Sequence, residues 1–252
     1  MHCVPSYEHC RPRYNSLAGE PGMTERFGVD CLYDRAEKPV AVLLLAHGAG
    51  AAMDSDFMNT MAAALASHSV AVLRFEFPYM QRRRDEQRQF PPDRAPKLLA
   101  AFAERVREAR SLAAELSEIP DGALPLWIGG KSMGGRMASM LAAEGNGVAA
   151  QDVAGVIALG YPFHPPGKPE KTRIDHLPAL TAPVLVCQGE RDPFGKPDEV
   201  SDYGLPERVQ LHWLPSGDHD FKPLKRSGLQ QQDLIIEAAR AAATFMGSVS
   251  FQ

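Results

Sequence analysis

Apolar positions come in short blocks along this chain. PVAVLLLA (39–46), SVAVLRFEF (69–77), LPLWIGG (124–130), DVAGVIALG (152–160), APVLVCQG (182–189) and VQLHWLP (209–215) are near-continuous apolar runs. Such runs predict strands covered on both faces, because a half-exposed strand alternates. Between them lie longer stretches with apolar residues at helical spacing. These are 54–68, which opens with a good N-cap, 95–117, 132–145, closing at Gly145, and 229–246. Residues 25–35 predict a hairpin adding antiparallel strands at one edge. Strand–helix alternation of this kind predicts an α/β fold. Its mostly parallel, twisted sheet would have about 7–8 strands, right-handed crossovers and helices on both faces.

No internal repeat or interdomain linker breaks the pattern, so residues 23–252 read as one domain. Residues 1–22 are rich in Pro, Gly and polar residues without periodicity. They are expected to be a mobile tail, with Met23 a second candidate start. A chain of 252 residues buries roughly 70–75% of its unfolded surface and needs neither disulfides nor a metal for stability. The formal charge of −4 argues against nucleic-acid and membrane-surface partners. No apolar run is long enough to span a bilayer, and the first residues carry no signal-peptide core. The four cysteines show neither CxxC pairing nor metal-ligand spacing, and Cys187 reads as a small core residue. A reducing cytoplasm is the expected compartment.

In an open α/β sheet, ligands gather at the carboxyl ends of the strands. Three of the segments leaving those ends carry a serine, an aspartate and a histidine, in that order. Ser132 stands in Gly130-Lys-Ser-Met-Gly134, between a predicted strand and a predicted helix. A strand turning directly into a helix strains the serine and leaves room only for glycine two residues to either side. The helix N-terminus also stabilises negative charge near the serine oxygen. GxSxG alone is a weak signal; its position gives it weight.

His219, in GDHDF after the last strand, is the candidate base, since a serine hydroxyl needs a near-neutral group to take its proton. His212 falls within a strand, and His68, His164 and His176 fall at a helix end or in loops. Asp192, in GERDPFG, is the candidate acid that would fix the imidazole tautomer. Glu190 is its nearest competitor, and Asp218 and Asp220 are expected to cap their loop. The HGAGA segment after the first long strand offers backbone donors for an oxyanion. Ala49 and Met133 amides are the expected pair, with His47 bracing the loop. Any one of these features has an ordinary structural reading. The three side chains in this order, each at a strand's carboxyl end, together predict a serine nucleophile.

With those residues in hand, the chain resembles the α/β-hydrolase superfamily over most of residues 24–250. It is most similar to the dienelactone-hydrolase-related bacterial branch grouped with the testis-expressed and KANL-type hydrolase-like proteins. LLLAHGAGAAMDSDFM, LRFEFPYMQRRR, PPDRAPKLL, IGGKSMGGRMAS, LGYPFHPPGKPEK, CQGERDPFG and HWLPSGDHDFKP carry the resemblance. It implies an eight-stranded α/β-hydrolase sheet and the same roles for Ser132, Asp192 and His219. Lys131 departs from the usual pattern, in which a histidine, aspartate or aromatic residue precedes the serine. Some similar proteins in chromatin complexes serve as scaffolds, so a non-catalytic binding protein is the rival reading.

Residues 80–97 hold six basic and three acidic residues on the site's side of the sheet. Arg82, Arg83 and Arg84 are therefore candidates for attracting an anionic substrate, against the plainer reading of a solvated basic loop. Residues 161–181 are too few for a lid domain, so a minimal cap and an open site are expected. Tyr161 and Phe163 either line an acyl pocket or pack beneath that proline-rich loop. The expected function is hydrolysis of a small-molecule carboxylic ester or thioester through an acyl-enzyme, with no metal or cofactor. Peptidase and lactonase chemistry would use the same parts.

Overall fold

The six apolar runs are strands of one sheet. The computed structural model describes residues 24–26, 31–118, 122–144 and 152–249. The tail expected at residues 1–22 lies outside them. The strands are β1 (Thr24–Arg26), β2 (Cys31–Asp34), β3 (Ala41–Ala46), β4 (Val70–Phe75), β5 (Leu126–Lys131), β6 (Gly155–Leu159), β7 (Val184–Gly189) and β8 (Val209–Leu214). Among the described residues they form an eight-stranded sheet in the order β1-β2-β4-β3-β5-β6-β7-β8. β1 and β2 are the expected antiparallel hairpin, β2 pairs antiparallel with β4, and the remaining pairs are parallel.

The helices are α1 (Asp56–Ser67), α2 (Pro78–Glu86), α3 (Ala95–Glu115), α4 (Met133–Glu144), α5 (Pro197–Ser201) and α6 (Gln231–Ser248). Two apolar clusters fill the two faces of the sheet. On one face Val42, Leu44, Leu73 and Ile128 meet Phe102 and Val106 of α3 and Met137 and Leu141 of α4. On the other, Leu43, Leu45, Val72 and Trp127 meet Met58 and Leu65 of α1 and Ile235 and Phe245 of α6. Consecutive strand residues such as Trp127 and Ile128 enter opposite clusters because side chains alternate across a pleated strand. Both faces therefore need apolar residues, and the runs are continuous.

The sequence expectation missed α2. The stretch reads as a basic loop because PYMQRRRDE buries only Tyr79 and Met80, too few for a helical stripe. Pro78 at its start fixes a helical φ and forfeits an amide that would have no intrahelical partner. The segment between β6 and β7 contains a single short 3-10 turn, Leu177–Ala179, among the described residues. That is the minimal cap expected.

The strand order places the site. The chain runs from β3 to β4 on one side and then returns to β5 on the other side of β3. Between β3 and β5 the connections diverge, which opens a crevice at their carboxyl ends. Ala46 is level with Gly130 across this pair, so the His47-Gly48 turn and the Lys131-Ser132 turn emerge side by side.

Candidate active site

Ser132 occupies the turn from β5 into α4 with φ of 51°, a left-handed conformation costly for a residue with a Cβ. Its flanks explain the glycines. A Cβ on Gly130 would lie 2.6 Å from the Ala46 carbonyl oxygen and 2.8 Å from Gly134 Cα. A Cβ on Gly134 would lie 2.6 Å from the Ala46 oxygen and 2.7 Å from that of His47. Real Cβ atoms do not come so close to backbone, so both positions must be bare. The turn is held by the Ser132 amide donating to Leu159 O at 2.8 Å.

Asp192 and His219 arrive from the turns after β7 and β8. His219 Nε2 lies 2.9 Å from Ser132 Oγ, and its Nδ1 lies 2.8 Å from Asp192 Oδ2. A carboxylate accepts, so Nδ1 carries the hydrogen and Nε2 is left to accept from the serine hydroxyl. Asp192 is fully buried. Its other donors are the Phe194 amide at 2.9 Å and Gln188 Nε2 at 3.0 Å. Phe194 also lies against the imidazole, with ring centroids 4.4 Å apart. The competitors are occupied elsewhere. Glu190 accepts from the Ser216 amide, and Asp218 accepts from the amides of Asp220 and Lys222, as a loop cap does.

Gly48 lies against the serine, since a Cβ there would sit 3.8 Å from Ser132 Cβ. The next amide, Ala49, has no acceptor among the described residues. Met133 is the first residue of α4, where a helix amide has no internal partner. The His47 ring is buried and braces this turn, donating from Nδ1 to Gly48 O at 2.6 Å and accepting the Phe77 amide at Nε2 at 3.1 Å. Tyr79 of α2 adds hydrogen bonds to the Gly48 and Ala49 carbonyls at 3.2 and 3.1 Å. Desolvation raises the Tyr79 phenol above its ordinary pKa, so it stays a donor.

Lys131 is buried, and burial pushes its ammonium below the ordinary lysine value despite nearby Asp220 and Asp192. Its Nζ donates to the His219 carbonyl at 2.7 Å, with Asp220 Oδ1 at 3.5 Å and the Phe57 ring centroid at 5.4 Å. Sequence reading marked Lys131 only as a departure and overlooked Gln188, Phe194 and Tyr79. Gln188, a polar residue inside the apolar run VLVCQG, was the available signal.

The proposed substrate contacts fare differently. Arg82 bonds Asp93 at 3.1 Å, Arg83 bonds the Phe90 carbonyl, and Arg84 grips both oxygens of buried Glu76 at 2.8 Å and reaches Asp54. These carboxylates hold the Arg84 guanidinium above its ordinary pKa. All three guanidiniums are thus engaged within α2 and its surroundings, because the segment is a helix and not a solvated loop. Tyr161 and Phe163 are fully buried, their ring centroids 4.8 Å apart, and Tyr161 Oη donates to Arg173 O at 3.0 Å. They pack beneath the 161–181 segment, so an open acyl pocket is not what their side chains line. A second serine–histidine contact, at 2.8 Å, joins Ser139 Oγ of α4 to His176 Nε2 of the segment between β6 and β7. Ser139 donates to the Arg136 carbonyl at 2.9 Å, the habit of a mid-helix serine rather than of a nucleophile.

A mostly parallel sheet with helices on both faces, and a strained serine between β5 and α4, define an α/β hydrolase. A family model described as an alpha/beta hydrolase domain matches residues 39–247, and the chain belongs to that family. The fold is also that of dienelactone hydrolase from Anabaena variabilis. The TM-score is 0.64 at 20% identity, covering 90% of this chain and 99% of that one. Est1E from Butyrivibrio proteoclasticus matches with a TM-score of 0.62 at 15% identity, covering 91% and 100%. XC6422 from Xanthomonas campestris, described as an α/β serine hydrolase without lid, matches at 0.55 and 23% identity, covering 88% and 91%. Among the described residues no helix is long and apolar enough to cross a membrane, and no cluster of His, Cys, Asp and Glu is arranged to hold a metal ion.

Proposed function

We propose that the protein is a serine hydrolase that cleaves a carboxylic ester or thioester. The observation carrying this reading is the continuous relay from Ser132 Oγ through both ring nitrogens of His219 to Asp192, at 2.9 and 2.8 Å. Ser132 attacks the acyl carbon while His219 Nε2 takes its proton, and Asp192 stabilises the imidazolium so formed. The carbonyl oxygen becomes an oxyanion held by the Ala49 and Met133 amides. Each such donor contributes about 2.7–4 kcal/mol to the transition state. As the tetrahedral adduct collapses, the acyl–oxygen or acyl–sulfur bond breaks and His219 returns the proton to the leaving group. Water, deprotonated by the same imidazole, then attacks the acyl-serine, and collapse of the second adduct frees the acid and Ser132. Membership of the α/β-hydrolase family supports the reading.

A fluorophosphonate probe tests it. Wild-type protein is expected to take up the probe, and Ser132→Ala to take up none. Turnover of a panel of p-nitrophenyl esters and acyl thioesters should fall by about 10⁴-fold or more in the same variant. A folded wild type that neither labels nor turns over any member of the panel would favour a binding or scaffold protein.

A further inference from the structure

The side chains of two arginines near the elbow make no hydrogen bond or ion pair among the described residues. Arg136 sits on the first turn of α4, its amide donating to Ser132 O at 3.1 Å. Its Nε is buried, yet it meets no acceptor among the described residues. Arg173 comes from the segment between β6 and β7 and is pinned at both ends of its peptide. Its amide donates to Phe163 O at 2.7 Å, and its carbonyl accepts Tyr161 Oη at 3.0 Å. Its half-buried side chain makes no hydrogen bond or ion pair among the described residues. The two charges feel each other. Burial first, and then the Arg136 charge, press the Arg173 guanidinium below its ordinary pKa.

The location matters. Tyr161 directly follows Gly160, where a Cβ would lie 3.4 Å from His219 Nδ1. Gln188 Nε2 joins the Tyr161 carbonyl at 3.2 Å to Asp192 at 3.0 Å. Arg136 therefore lies one turn beyond Ser132 after β5, and Arg173 is tied to the residues that follow β6, on the rim of the sheet that carries Ser132 and His219. Arg35 Nη1 is likewise buried without an acceptor among the described residues, but two arginines elsewhere have carboxylate partners. Arg74 holds Asp34 and Arg84 holds Glu76. The two residues are joined through Ser139, His176 and Tyr161, since Ser139 Oγ bonds Arg136 O and His176 Nε2, and Tyr161 Oη lies 3.5 Å from that nitrogen and bonds Arg173 O. A buried donor without an acceptor beside a second like charge is costly unless an anion meets it. Planar guanidinium forks fit a carboxylate in particular.

We propose that Arg136 and Arg173 form an anion subsite that binds a carboxylate of the substrate, so that the preferred esters are acidic ones. The inference rests on the serine-hydrolase reading for its substrate class. Two ester pairs test it: p-nitrophenyl hemiglutarate against p-nitrophenyl pentanoate, and 4-acetoxybenzoate against phenyl acetate. They set the charge on the acyl and on the leaving side. Wild type is expected to favour the acidic member of at least one pair. In Arg173→Gln, the kcat/KM ratio of that pair should fall about tenfold or more. Arg136→Gln should do the same; if its buried position prevents folding, Arg173→Gln decides alone. Absence of any preference for the acidic ester, or ratios indifferent to the substitution, overturns the subsite. If no ester is turned over and Ser132 takes no probe, the hydrolase reading fails separately. Calorimetric binding of glutarate then tests the pair on its own. Binding weakened about tenfold in Arg173→Gln sustains it, and no binding, or binding unchanged by the substitution, overturns it.

Discussion

Lys131 donates from Nζ to the backbone carbonyl of His219 at 2.7 Å, so the residue before Ser132 holds the turn that carries His219. The two turns come from strands far apart in the sheet, with β6 and β7 between them. Lys131→Met keeps an apolar stem in the gap and removes the donor. In the proposed reaction a displaced His219 harms the transition state more than substrate binding, so kcat is expected to fall roughly 10–100-fold with a smaller change in KM. A KM effect alone would count against this positioning role.

Gly134→Ala should unseat the elbow. The added methyl would meet the Ala46 and His47 carbonyl oxygens at 2.6 and 2.7 Å, and those atoms belong to the neighbouring strand and its turn. Overpacking of about 1–3 kcal/mol corresponds to a melting temperature lower by roughly 2–12 °C. Thermal denaturation followed by circular dichroism measures it, and loss of fluorophosphonate uptake should accompany it.

Arg74 of β4 is buried and binds both oxygens of Asp34 at 2.7 and 2.9 Å, as well as the Met53 carbonyl. Arg74→Met strands a buried carboxylate, and the expected loss is about 3–5 kcal/mol in urea unfolding. Arg74→Met with Asp34→Leu should recover much of that loss, because the penalty comes from the unpaired charge. Additive losses in the double variant would contradict this account.

The His47 imidazole is held below its ordinary 6.5 by burial, which outweighs the opposing effects of the Gly48 carbonyl and Glu76. As pH falls through that ordinary value the unfolded chain takes up a proton there and the folded protein does not, so stability declines on acidification. At higher pH both states are neutral and the effect vanishes. Asp54, held low chiefly by its hydrogen bond to Arg84, contributes stability lost only as pH falls below its ordinary 3.8, a lower window. Urea midpoints between about pH 7.5 and about pH 5.5 should therefore fall, and His47→Gln should show a shallower fall. An unchanged slope in the variant would assign the effect to other groups.

What the sequence determined by itself was set by local and periodic chemistry. Strands buried on both faces must be apolar throughout, so β3 to β8 stand out as runs. The close approach of backbone at 130 and 134 excludes any side chain, so the elbow stands out as glycines. The order of Ser132, Asp192 and His219 after β5, β7 and β8 followed from those elements. Tertiary structure alone decided how charged and polar groups pair across the fold. A three-arginine stretch became the helix α2, its charges absorbed by Asp93, the Phe90 carbonyl and Glu76, while the side chains of Arg136 and Arg173, unremarkable in the sequence, have no acceptor among the described residues. Tyr161 and Phe163 were buried beneath a loop, and Lys131 was turned onto a carbonyl 88 residues away. Hydrogen bonds and ion pairs depend on which atoms meet within about 3 Å, and no periodicity along a chain encodes that distance.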